Sequence, residues 1–172
     1  SEGRAKLRSA DDIPSMLLHN GKEANPKPVV QHDCTQAHQY LGLWNSPSMS
    51  MKANFLALAL KAKNYSQRLF KSGLSTYEVW LAYFACFVPS MVFTFAVCSF
   101  TMTELTTLQK APIRATLARL GFNRNISRDI VFGSSLYGGL GLLHLFVEQG
   151  IAQLQLLLRH LRAETTQGSL LV

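Results

Sequence analysis

The sequence predicts a mainly α (α+β) fold, a small β-hairpin followed by a bundle of four or five helices. Three observations lead there. Apolar residues recur at helical spacing over residues 51–71 and again over residues 143–161. The run VWLAYFACFVPSMVFTFAVCSFTM, residues 79–102, carries no charge. The first third of the chain is instead rich in turn residues and short β-prone stretches.

Within residues 1–35, HNGKEANPKPVV holds an Asn-Gly pair and two prolines. Its flanks, SMLL and PVVQH, fit two short strands across a turn. HQYLGLW follows, an aromatic and apolar strand with Gly42 at a bend, closed by NSPS. Over 51–71 the period becomes helical. Phe55, Leu58, Ala62, Tyr65 and Leu69 share one face, and Lys61, Asn64, Arg68 and Lys71 another. Gly73 is placed to end this helix as a C-cap. Ser75 or Thr76, with Glu78 just after, marks the start of the next.

Residues 79–102 would make a helix about 36 Å long, enough to cross a bilayer. Three features favour burial at the centre of a bundle. Pro89 lies near the middle and fits better as the first residue of a second helix. Glu78 and Glu104 flank the run, with Lys71 and Lys110 further out on either side, so no orientation signal exists. The neighbouring amphipathic helices also need an apolar partner. Another helix is expected at 103–120, where Pro112 either kinks it or starts a second segment. GFNRNISRD is a basic loop, and DIVFGSSLYGGLGL a short strand with a Gly-rich turn. The last helix aligns Leu143, Val147, Ile151, Leu154, Leu158 and Leu161 in a stripe, with Glu148, Gln155, Arg159 and Arg162 on the other side.

The chain is 172 residues long with 16% charged residues and a net charge of +7. Such low charge fits either a membrane protein or a piece of a larger one whose apolar surfaces meet neighbours. SEGRAKLRS at the start has no apolar core of a signal peptide. Between positions 50 and 130 ten basic residues face only Glu78, Glu104 and Asp129, so the whole excess sits there. A basic patch is the footprint of nucleic-acid or anionic-membrane binding, and otherwise a solvated face. Cys34, Cys86 and Cys98 form no C-x-x-C pair, and two of them lie in the apolar run, which points to a reducing compartment. Cys34 with His38 matches no common zinc spacing. SADD places Asp11 and Asp12 side by side, but Pro14 follows and no apolar strand flanks the pair, so it is read as coincidental. GSSLYGGLG lacks the spacing of a phosphate loop.

The order AHQYLGLW, basic amphipathic helix, YEVWLAYFACFVPSMVFTFA, LQKAPIRATLARLGFNRN, YGGLGL resembles the region after the catalytic palm in reverse transcriptases of non-LTR (LINE-like) retrotransposons. The resemblance spans roughly residues 30–165. It implies that Tyr40, Leu41 and Gly42 form the primer-grip hairpin, that a helical thumb follows, and that Gly138, Gly139, Leu140 and Gly141 are the recurring turn beyond it. It also implies that the polymerase aspartates and their Mg²⁺ belong to a palm upstream, so that this chain has no catalytic residue, metal or cofactor of its own.

The expected division is 1–48 linker and hairpin, 49–122 thumb-like bundle, and 123–172 Gly-rich turn and final helix. The expected function is positioning of a template–primer duplex as part of an RNA-directed DNA polymerase. Lys61, Lys63, Arg68 and Lys71, with Arg124 and Arg128 as a second group, would contact phosphates. The expected partners are RNA–DNA duplex and the missing palm and fingers, with no membrane, and the expected location is intracellular, cytoplasmic or nuclear. A single-pass membrane protein and an inactive retroelement relic are the alternatives.

Overall fold

The computed structural model describes residues 36–163 and the backbone of two short strands before them. These strands, β1 (Leu17–Leu18) and β2 (Lys27–Pro28), pair antiparallel across the Asn-Gly and Pro segment, at the inner ends of the stretches expected to pair. Asp11, Asp12 and Cys34 lie outside the described residues.

The expected strand at HQYLGLW is a complete hairpin. β3 (His38–Tyr40) and β4 (Leu43–Asn45) are antiparallel, with Tyr40 opposite Leu43. Two loop residues remain, Leu41 at φ 49° and Gly42 at φ 86°. Positive φ at both central positions is the mark of a type I′ turn, whose twist matches that of the strands it joins. Gly42 adopts this freely, whereas Leu41 pays a steric penalty for it.

The chain divides into two compact units, 1–53 and 54–172. Among the described residues the second has helices as its only regular elements, and residues 123–163 belong to the same unit as the helices before them. It carries α1 (Lys52–Lys71), α2 (Thr76–Ala82), α3 (Val88–Phe95), α4 (Met102–Arg119), α5 (Arg128–Phe132) and α6 (Leu145–Arg162). The mainly α architecture with a small hairpin is as the sequence predicts.

α1 buries Leu58, Ala62 and Leu69 on the expected face, with Tyr65 half-buried beside them. Leu69, Val79 and Ala115 form a small core cluster that joins α1, α2 and α4. Gly73 is not left-handed, so it is no C-cap of the kind expected. Instead Arg119 of α4 donates from Nη2 to the carbonyls of Ser72 (2.6 Å) and Leu74 (3.2 Å) and ties down the turn after α1. Ser75 caps α2. Glu78 N–H donates to Ser75 Oγ, and Ser75 N–H donates to Glu78 Oε2 at 2.8 Å, a reciprocal box.

Pro89 stands in the first turn of α3, which begins at Val88, one residue from where the sequence places the start of a second helix, although no break in the helical backbone precedes it. The backbone stays helical through Tyr83–Phe87 as one wide π turn, in which Val88 N–H reaches back to the Tyr83 carbonyl. A proline ring collides with the carbonyl four residues back, and the wider turn accommodates it. The true end comes after Phe95, and α4 begins behind a second capping box, Thr101 with Glu104. Nor is this helix fully enclosed. Val79, Tyr83, Phe87 and Met91 are buried, while Trp80, Leu81 and Phe93 on the other side are exposed. Pro112 is buried inside α4, which runs through it without a second start.

Residues 128–132 form a helix where a strand is expected. Ser127 accepts from Asp129 N–H and starts the turn, and a five-residue piece has no sheet to join. The Gly-rich segment then folds back on α5, with Leu140 N–H bonded to Ile130 O (2.8 Å) and Leu142 N–H to Val131 O (3.0 Å). This return brings Gly139 against the backbone of Gly133, where a Cβ on either glycine would collide with main-chain atoms.

α6 packs on α3 and α4 through Leu145, Gln149 and Ala152. That is not the stripe the apolar spacing suggests. Val147, Ile151, Leu154, Leu158 and Leu161 face solvent. Two buried glutamines hold this part together. Gln149 Oε1 accepts from Phe100 N–H (2.9 Å) and its Nε2 donates to Phe100 O (3.1 Å). Gln109 Nε2 donates to Leu143 O (2.7 Å) and its Oε1 accepts from Leu145 N–H (3.2 Å). The Leu143 carbonyl also accepts from the Tyr83 hydroxyl at 3.0 Å. Burial pushes that hydroxyl far above the ordinary tyrosine pKa, so it stays a donor at every physiological pH.

Candidate nucleic-acid interface

The primer-grip-like residues occupy the tip of the β3–β4 hairpin. Tyr40 is 66% and Leu41 76% exposed, with Gly42 beside them. The tight turn presents an aromatic ring and a stretch of bare backbone together, an arrangement able to touch a chain end.

The basic residues of α1 do not form one surface. Lys61 and Arg68, seven residues apart, lie on the same flank and line a groove of about 440 Å³ together with Asn64, Tyr65, Ser72 and Cys86. Lys63 is two residues from Lys61, a rotation of about 200° on a helix, so it points away from that flank. Lys71 is exposed in the last turn. Neither Lys63 nor Lys71 lines this groove. Tyr65 is held by its hydroxyl contact with Thr116 Oγ1 (3.4 Å) and by stacking on Phe87 with ring centroids 4.9 Å apart. Burial raises its pKa, so the wall of the groove is a neutral ring.

A larger groove, about 620 Å³, lies on the other flank of α1. Ser66 and Phe70 line it from α1, Lys110 and Arg114 from α4, and Phe122, Asn123 and Arg124 from the loop after α4. Three cations line it and no carboxylate does. Phe70 and Phe122 remain 57% and 41% exposed, so apolar rings stand among the charges. Cations that reach phosphate oxygens beside rings on which bases stack are the components of a single-strand or duplex-end binding surface.

Arg124 and Arg128, expected as one group, diverge. Arg128 lines a separate hollow of about 420 Å³ with Gln109, Lys110, Phe132 and His144. There His144 Nδ1 accepts from Phe146 N–H (3.3 Å), and burial lowers the imidazole pKa, both of which favour the neutral ring. Lys110 lines both hollows.

Neither Lys110 nor Arg114 is among the phosphate contacts expected from the sequence. Their spacing of four residues on one helix was a usable signal, because it stacks side chains on one face. Phe70 and Phe122 carried no such signal, since each reaches the groove from a different element. Arg119, basic in sequence, spends its guanidinium on the turn after α1 and is structural.

Among the described residues no three His, Cys, Asp or Glu side chains converge. Glu78 and Glu104 are each spent on a helix cap. No family model, curated protein or solved structure matches the chain.

Proposed function

We propose that this chain binds nucleic acid as a thumb-like part of an RNA-directed DNA polymerase and positions a template–primer duplex. The observation that carries the proposal is the groove of Lys110, Arg114 and Arg124, interleaved with Phe70 and Phe122 and free of lining carboxylates. In this reading the cations pair with phosphates and release counterions, which gives affinity without sequence preference. The rings support an unpaired base or the end of a duplex. Lys61 and Arg68 add phosphate contacts on the opposite flank of α1. The resemblance to non-LTR reverse transcriptases supplies the substrate class, and the exposed Tyr40-Leu41-Gly42 tip supplies a candidate contact for the primer. Polymerase chemistry and its Mg²⁺ remain with the palm of the parent enzyme, and palm and fingers are the partners this reading requires.

The test is a salt titration of binding to an RNA–DNA hybrid. Lys110→Gln, Arg114→Gln and Arg124→Gln together should flatten the slope of log affinity against log salt by about two to three units. Lys61→Gln with Arg68→Gln should flatten it by roughly one to two. An unchanged slope in variants whose circular dichroism matches the parent would leave both grooves merely solvated and refute the proposal.

One observation favours a second reading. The helical stretch Thr76–Phe95 is long and apolar enough to cross a membrane, and 39% of its most apolar window is buried. Retention of the chain in membrane pellets after alkaline carbonate extraction, with its two ends on opposite sides, would decide for a single-pass membrane protein.

A further inference from the structure

The exposed stripe of α6 has a regular heptad spacing. Val147, Ile151, Leu154, Leu158 and Leu161 follow one another at intervals of four, three, four and three. That is the a/d spacing of a coiled coil over two heptads, with Ile151 and Leu158 at a and the others at d. The residues are 55%, 42%, 58%, 46% and 38% exposed. They are not the face with which α6 joins its own bundle. Leu145, Gln149 and Ala152 do that, and the first residues of the exposed stripe each lie two positions after one of them. Two positions rotate a helix by about 200°, so the helix carries one seam inward and a second on nearly the opposite side. After Ala152 no described residue of α6 is buried. The last ten residues of the helix therefore hold apolar side chains that little of the described fold covers.

We propose that this second seam pairs with the same seam of a second copy of the chain, as an antiparallel two-helix coiled coil. The flanking residues select both the partner and its direction. With the two helices antiparallel and centred near Leu156, Ile151 packs against Leu161 of the second copy and Leu154 against its Leu158, and each contact occurs twice. Glu148 then faces Arg162 of the second copy on one flank, again twice, while Gln155 meets Gln155. On the other flank Leu157, itself 40% exposed, meets Leu157. Turned parallel, the same helices would place Arg162 beside Leu157 and leave Glu148 without a cation. Opposed helix dipoles favour the antiparallel arrangement as well. Glu148 is a half-buried carboxylate whose pKa burial raises, a group that an arriving guanidinium would relieve.

The experiment is sedimentation equilibrium of the full chain over a wide concentration range. The parent should be a dimer. Leu154→Glu with Leu158→Glu should weaken self-association by more than about a hundred-fold while helical circular dichroism is retained. Glu148→Arg alone and Arg162→Glu alone should each weaken it, and the two together should restore it, because the charges are exchanged across the pair. These single substitutions leave Leu145, Gln149 and Ala152, by which α6 joins its bundle, untouched, so they read the seam even if the leucine variant fails to fold. A parent chain that stays monomeric at about 100 μM, or a double charge exchange no tighter than the single ones, would overturn the proposal. So would a monomer that binds neutral lipid vesicles through Leu154 and Leu158, since that would assign the seam to a membrane surface.

Discussion

Replacing Gln149 with leucine should be among the most damaging single changes in the helical unit. Gln149 is 4% exposed, as is Phe100, whose main-chain N–H and carbonyl it satisfies together. Leucine has nearly the same volume, so packing is conserved and the loss is polar. Two backbone groups are left in the interior without partners, at about 1–3 kcal/mol each. The expected cost is roughly 2–6 kcal/mol, a large part of the 5–15 kcal/mol typical of a domain. Gln109→Leu should cost less, about 1–3 kcal/mol, because the Leu143 carbonyl keeps the Tyr83 hydroxyl and only the Leu145 N–H is orphaned. Tyr83→Phe should cost least, about 1 kcal/mol, since Gln109 still satisfies that carbonyl. Urea unfolding monitored by circular dichroism gives the three midpoints at a common slope. The reasoning fails if Gln149→Leu lies within about 0.5 kcal/mol of the parent, or if Tyr83→Phe proves the most harmful of the three.

Two glycines should respond in opposite directions in the same assay. Gly139→Ala drives a Cβ into the Gly133 backbone and should destabilise, by more than about 1 kcal/mol, whereas Gly150→Ala inside α6 meets nothing within 4 Å and should stabilise by about 0.5–1 kcal/mol. Equal effects of the two changes would contradict the close approach described. The capping boxes make stability depend on pH in the acid range. The Ser75 hydroxyl and backbone N–H hold the Glu78 carboxyl below its usual value, and Thr101 does the same for Glu104 through its backbone N–H and then its hydroxyl. A lowered folded pKa adds stability that is present above the unfolded value near 4.5 and is lost as the pH falls through the folded one. Glu78→Gln with Glu104→Gln should therefore reduce stability at pH 7 and flatten its decline below about pH 4.5, and an unchanged acid limb would count against the caps.

Local rules carried much of the fold. The apolar spacing of 51–71 determined both that α1 is a helix and which of its faces is buried. Ser75 followed by Glu78 determined where α2 begins, because a capping box is a contact within four residues. Tyr40-Leu41-Gly42 lies at a hairpin bend because two residues there must turn the chain. The same signal was present at Thr101 and Glu104, masked by the apolar run it interrupts. Other outcomes needed the whole tertiary structure. α6 carries two seams about 200° apart, and spacing cannot say which one the bundle covers. Gln149 tips that choice, since its amide finds both backbone groups of Phe100 in the interior, whereas no such partner awaits the outward stripe. The helix of residues 128–132 forms because the Gly-rich return packs on it rather than on a sheet. The groove with Lys110, Arg114 and Arg124 likewise joins α1, α4 and the loop after α4. A sequence determines contacts between near neighbours, but a charged groove shared by distant elements exists only after burial has chosen which faces meet.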